Sequence, residues 1–138
     1  MARQLILDTN ALIAYKRAAF DTTALDDDDL AIAAITVAEF RVGIELARSA
    51  EQAAERARVL AVIVDVVTVL DYTERTATEH ALLLAHVRRS GSPRGAHDLT
   101  IAAHAAEHGR TLVSLDARAR FNDLPGVNAL DPLSDLDE

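Results

Sequence analysis

The chain has 138 residues, half of them hydrophobic and 26% charged, with 22 acidic against 14 basic side chains and no cysteine. That length makes one domain, able to bury roughly two thirds of its unfolded surface, and the missing cysteines exclude disulfides and thiolate metal sites. The net charge of −8 runs against the basic footprint of an ordinary nucleic-acid binder, unless divalent cations offset part of it.

No signal-peptide pattern follows Met1 and no apolar run approaches a membrane span, so the expectation is a cytoplasmic protein without membrane contact. Residues 4–7 (QLIL) read as a buried strand that stops abruptly at Asp8, and residues 11–19 as the helix after it. Residues 21–29 are polar and finish in four consecutive aspartates, Asp26 to Asp29, which read as a solvated loop. A second apolar run covers 30–35. Thr36-Val37-Ala38-Glu39 then opens a helix with the S/T-x-x-E/Q capping pattern, continuing to residue 50. Residues 53–64 form another helix and 66–70 a β-branched strand. Residues 73–89 are a long helix with Ala77, Ala81, Leu84 and Val87 on one stripe. The composition of SGSPRG, 90–95, makes a loop. Residues 98–108 are a helix closed by Gly109, 111–115 a strand ending at Asp116, and 127–130 a last strand. The domain therefore spans 1–130, and 131–138 form an acidic C-terminal tail.

Short strands alternating with helices imply an α/β fold, a three-layer α/β/α sandwich around a parallel sheet of four or five strands. Ligands in such folds bind outside the carboxyl ends of the strands. Asp8 and Asp116 each follow a strand directly, Glu39 lies in the first turn after the second strand, and Asp98 opens a helix after a loop. Each has a local reading as a helix cap or a dipole partner. Four independent caps, however, need not share one edge of a sheet. Two carboxylates about 4 Å apart repel by roughly 4 kcal/mol at an effective dielectric near 20. A converging set must therefore take up protons or hold a cation. An all-oxygen donor set suits Mg²⁺ or Mn²⁺.

The stretches LILDTNALIAY, TVAEFRVGIELA, HDLTIAAHAAEHGRTLVSLDARARF and LPGV resemble, in order and spacing from Leu5 to about Val127, the PIN-domain ribonucleases. More narrowly they resemble the VapC toxins of bacterial type II toxin–antitoxin pairs. The resemblance implies a PIN-like fold and an endoribonuclease dependent on Mg²⁺, with Mn²⁺ as substitute. Asp8, Glu39, Asp98 and Asp116 would be the catalytic and metal-binding set, with Asp8 and Asp98 the direct ligands. It also implies hydrolysis of a structured RNA (tRNA or rRNA) by activated water, leaving a 5′-phosphate and a 3′-hydroxyl. Implied partners are a cognate antitoxin that blocks the cleft, a second copy in a homodimer, and a higher toxin–antitoxin assembly. Thr9 and Asn10 would support Asp8 or touch a phosphate. After Asp116, where such toxins often carry a further polar residue, stand Asn122 and Asp123.

Arg88, Arg89 and Arg94 flank the loop before Asp98, and Arg41 follows Glu39, so these four are candidate contacts for an RNA backbone. The first three also suit the negative end of the long helix. Aromatic residues make up 4% of the chain, too few for a base-stacking platform. His97 adjoins Asp98. His104 and His108, at i and i+4, have metal-ligand spacing but no evident third ligand, and read as an exposed helix face. A rival of another class is a catalytically weak or inactive PIN-like partner acting mainly in an antitoxin-bound repressor complex.

Overall fold

The computed structural model describes residues 2–133. The predicted tail falls largely on residues 134–138, which lie outside the described residues. The elements in chain order are β1 (Gln4–Leu7), α1 (Thr9–Lys16), β2 (Asp29–Ala33), α2 (Ala34–Glu45), α3 (Ala50–Val66), β3 (Thr68–Leu70), α4 (Glu74–Ser90), α5 (Ala96–His108), β4 (Thr111–Val113) and β5 (Ala129–Leu130). All strands are parallel, in the order β3-β2-β1-β4-β5.

The central place of β1 explains its continuous apolar run. Leu5, Ile6 and Leu7 are each fully buried because helices cover both faces of the sheet. Their alternation separates the two sides of the core. Ile6 belongs to one core cluster with Leu83 and Val87 of α4 and Leu99 and Ala102 of α5. Leu5 and Leu7 pack with Leu12 of α1 and Ile63 of α3. The sheet is thus the middle of three layers, as expected.

Chain direction relative to the sheet makes the crevice. From β1 the chain moves outward to β2 and β3, then crosses back to β4 on the other side of β1. The pairing aligns Leu7 with Val113, and the amide of Asp8 donates to the carbonyl of Val113 at 3.1 Å. The carboxyl ends of β1 and β4 therefore lie side by side at a topological switch point, where open α/β sheets bind ligands.

Several local expectations are corrected. α1 starts two residues earlier than predicted and stops at Lys16, because Ala18 turns into the left-handed region with φ of 51°. α2 begins at Ala34 with no side-chain cap, so Thr36 and Glu39 do not form a capping box. The helix ends at Glu45. A separate start follows, where Ser49 Oγ accepts from the Gln52 amide at 3.0 Å and Gln52 Oε1 accepts from the Arg48 amide at 2.8 Å. α3 runs on to Val66 and shortens β3 to three residues. α5 starts at Ala96, which places Asp98 inside its first turn, and ends as predicted at Gly109, whose φ of 62° suits glycine.

The aspartate run is only partly solvated. Asp28 pairs with Arg3 at 2.6 Å, a contact that holds its carboxyl below the usual range. Asp29 opens β2 and meets Arg110. The Arg110 side chain, 9% exposed, donates through NH1 to the Leu5 carbonyl at 3.0 Å, the Asp29 carbonyl at 3.1 Å and Asp29 Oδ1 at 3.2 Å. It fastens the start of β4 across β1 to β2. Arg110→Ala is expected to cost about 2 kcal/mol, since it strands those acceptors under the sheet's end. The melting temperature should fall by roughly 6–10 °C in a thermal scan.

Candidate active site

Asp8 directly follows β1, and its side chain turns back to accept the amide of Ala11 at 2.8 Å, capping α1. The local reading of Asp8 as a helix cap thus holds. Asp8 is only 5% exposed. Burial pushes its carboxyl up first; hydrogen bonds from Ser114 and Ala11 oppose that, and the charges of Asp98 and Asp116 raise it further. Asp98, in the first turn of α5, is also pushed up, chiefly by burial and then by Asp116 and Glu39, against His97 and Arg94. The Gly95 that caps α5 leaves room for this carboxylate: a Cβ there would lie 3.3 Å from Asp98 Oδ2. Asp116 is exposed, with Oδ1 accepting the Arg118 amide at 3.0 Å and its own amide donating to Ser114 Oγ at 3.1 Å.

Glu39 is held by neighbours that its sequence position does not suggest. Its Oε1 accepts from Thr9 Oγ1 at 3.0 Å and lies 3.4 Å from His97 Nδ1. Thr9 Oγ1 is also 3.3 Å from the buried Thr36 hydroxyl. Thr36 thus braces the start of α1 from the first turn of α2. Sequence reasoning missed both Thr36 in this role and Ser114. The one local signal for Ser114 was a polar residue inside the apolar run LVSL.

Asp8, Asp98, Asp116 and Glu39 are close enough to act on one another's charge, yet they stand apart rather than closed around a point. Among the described residues, the trio of metal-ligating side chains with ligand atoms mutually within 4.8 Å is a different one, on α5. The donors fit a hard divalent ion: every one is a carboxylate, and the carboxyls of Asp8 and Asp98, pushed up chiefly by burial, are raised further by neighbouring acidic charge, which a cation would relieve.

The remaining candidates divide. Asn10 is exposed at the start of α1, and Arg41 is exposed on α2. Arg88 and Arg89 are exposed in the last turn of α4. Arg94 donates NH1 to the carbonyls of Ala119 and Arg120, fastening the α4–α5 loop to the turns after β4. Asn122 is fully engaged: it accepts the Ala129 amide at 2.9 Å and donates to the Ala129 carbonyl at 3.2 Å, which pins β5.

A stability prediction follows from Asp8. A carboxyl whose folded-state pKa is raised adds stability below the unfolded carboxylate range and loses it as pH rises through the raised value. In EDTA near neutral pH, Asp8→Asn keeps an acceptor for Ala11 and removes the charge. It is expected to stabilise the fold by about 0.5–2 kcal/mol, as relief of a functional-site conflict commonly does. The gain should shrink as pH falls through the raised value; paired thermal scans across pH check it.

The fold is shared by known proteins. A family model described as PIN domain matches residues 5–126, and the chain belongs to that family. Within it, the relatives are VapC proteins. The chain is 31% identical over 110 residues to the tRNA(fMet)-specific endonuclease VapC of Salmonella typhimurium, covering 78% of each chain. It is 32% identical over 111 residues to Ribonuclease VapC5 of Mycobacterium tuberculosis, covering 80% of this chain and 82% of that one. The fold matches the crystal structure of DNA-bound VapBC from Salmonella typhimurium with a TM-score of 0.78 at 28% identity, over 95% of this chain and 98% of that one.

Proposed function

We propose that this protein is the toxin of a toxin–antitoxin pair, a Mg²⁺-dependent endoribonuclease, with Mn²⁺ as substitute, that hydrolyses structured RNA (tRNA or rRNA) in the cytoplasm. The observation that carries the reading is the pair of raised carboxyls at the carboxyl edge of a parallel sheet: buried Asp8 and half-buried Asp98 are both pushed up, by burial first and then by acidic neighbours, Asp98 and Asp116 for Asp8, Asp116 and Glu39 for Asp98. VapC relatives named as ribonuclease and endonuclease support it.

Asp8 and Asp98 would hold the ion, with Asp116 and Glu39 completing the acidic set. A divalent ion held there would supply Lewis-acid activation of water and neutralise charge at the scissile phosphate. Glu39, held by Thr9 and flanked by His97, or Asp116 would accept a proton from the attacking water. Ser114 keeps Asp8 oriented from the neighbouring strand, and Thr9 does the same for Glu39. Arg88 and Arg89 at the end of α4, Arg41 on α2 and Asn10 on α1 would contact the RNA, offsetting in part the net charge of −8. Arg94 would act from its place beside Asp98, through the loop it fastens.

A groove of about 470 Å³ supports the antitoxin partner. It is lined by Ile13, Phe40 and Val59, carries Lys16, Arg17 and Arg56, and reaches Thr9 and Glu39. An antitoxin segment seated there would cover Glu39. Val42 on α2, Leu46 just after it, and Val62 and Val66 on α3 are each more than half exposed, as contacts for a homodimer or a higher toxin–antitoxin assembly require. The VapBC complexes among the structural relatives support such pairing.

The test is cleavage of total RNA by purified, antitoxin-free protein with Mg²⁺ or Mn²⁺ against EDTA. Discrete fragments that need the metal are expected; none from folded wild type in either metal would favour the repressor-partner reading. Ser114→Ala should raise the Mg²⁺ concentration for half-maximal cleavage by about 10–100-fold, the usual cost of losing a group that orients a metal ligand.

A further inference from the structure

A second group of ligand-type side chains lies at the other end of α5. His104, Glu107 and His108 stand at i, i+3 and i+4, so they share one side of the helix. Their ligand atoms all lie within 4.8 Å of one another. Glu107 is nine residues beyond Asp98, about 14 Å along the helix axis at 1.5 Å per residue. The group is therefore separate from the acidic edge.

His104 is the unusual member. It is fully buried, and neither ring nitrogen has a hydrogen-bond partner. Buried polar atoms are nearly always satisfied, and each orphan carries a desolvation cost. Tyr72 packs edge-on at 6.1 Å, but its hydroxyl is paired with His80 Nδ1 at 2.8 Å rather than with His104. Burial keeps the imidazole neutral, the form that ligates metals, and Asp71, His80, Glu107 and His108 are near enough to act on its charge.

The other two members have the features of a ligand set. Glu107 Oε1 accepts the hydroxyl of the buried Thr76 of α4 at 2.6 Å, an outer contact of the kind that orients metal-binding carboxylates. His108 Nε2 already lies 3.3 Å from Glu107 Oε1, and the His108 side chain is 38% exposed, leaving a path from solvent.

As a packing arrangement alone, the cluster leaves two imidazole nitrogens unsatisfied for no gain. We propose that His104, Glu107 and His108 bind one borderline divalent transition ion, Zn²⁺ foremost, which ties the last turns of α5 to α4 through Thr76. Two imidazoles and a carboxylate are a known zinc donor set, with bonds of about 2.0–2.2 Å and a fourth position left for water. Donor type separates the two sites: oxygen at the acidic edge for Mg²⁺, nitrogen-rich here for Zn²⁺.

The experiment uses tag-free, full-length protein stripped with EDTA, dialysed into excess Mg²⁺ to fill the acidic edge, and titrated with Zn²⁺ by calorimetry and with Co²⁺ by visible absorption. One equivalent should bind with Kd tighter than about 10 µM. Co²⁺ should give the visible bands of a four- or five-coordinate nitrogen–oxygen site, and Zn²⁺ should raise the melting temperature. His104→Ala would open a cavity and endanger the fold, so the variants are His108→Ala and Glu107→Gln on the more accessible members. Each should weaken Zn²⁺ binding at least tenfold while folding normally, and Asp8→Asn should leave it unchanged. No Zn²⁺ binding by wild type, binding that survives both variants, or binding that disappears in Asp8→Asn would each overturn the site.

Discussion

Asp8→Asn is expected to lower RNA hydrolysis by about 10³-fold at saturating Mg²⁺, several kcal/mol of lost transition-state stabilisation. The substitution is nearly isosteric, and the carboxamide oxygen still accepts the Ala11 amide that starts α1, so the fold should persist. What disappears is the negative charge most deeply placed in the acidic set. Folded protein with unimpaired cleavage would move the site elsewhere. Initial rates on one RNA, with far-UV circular dichroism as the control, make the measurement. The same variant should be more stable than wild type without metal, so loss of activity and gain of stability would occur together.

Ile6→Ala should produce the largest loss of stability among single strand substitutions, about 3–4 kcal/mol. Ile6 is fully buried in the central strand and belongs to one core cluster with residues of both α4 and α5. Neither helix can collapse into the space without breaking its own contacts with the other. Urea denaturation should show the midpoint falling with an unchanged slope. Leu82→Ala is the contrast: Leu82 is 61% exposed, and its removal should change stability by less than about 0.5 kcal/mol. Equal effects at the two positions would contradict the placement of β1 at the centre of the sheet.

How much of this could be read from the chain depends on the range of the interaction concerned. QLIL and TLV were legible as strands because parallel strands buried on both faces are uninterrupted apolar runs. Asp8 stands out for the same reason, as a charge at the point where its run stops; β4 ends at Val113, two residues short of the predicted strand, so Asp116 follows it only after Ser114 and Leu115. The S/T-x-x-E pattern at Thr36 misled because the chain enters α2 directly from β2. Thr36 and Glu39 were then free to face Thr9 instead of the helix terminus. Ser114 matters through Asp8, which is adjacent only once β1 and β4 pair, and no local pattern encodes that.

His104 shows the same limit. In AHDLTIAAHAAEH the apolar residues encircle the helix, so periodicity does not say which side is buried. The small alanines let α4 pack closely and bury His104, contrary to the exposed face expected of it, and Glu107 becomes a third ligand candidate only when the burial is known.

The most direct test of the central claim, that the acidic edge delivers water to an RNA phosphodiester, is the chemistry of the ends it leaves. Purified wild type should be incubated with a structured RNA and Mg²⁺, and both new termini identified by ligation and phosphatase sensitivity. The account predicts a 5′-phosphate and a 3′-hydroxyl, absent in EDTA and absent with Asp8→Asn. A 2′,3′-cyclic phosphate with a 5′-hydroxyl would mean attack by the RNA's own 2′-hydroxyl, and would contradict it.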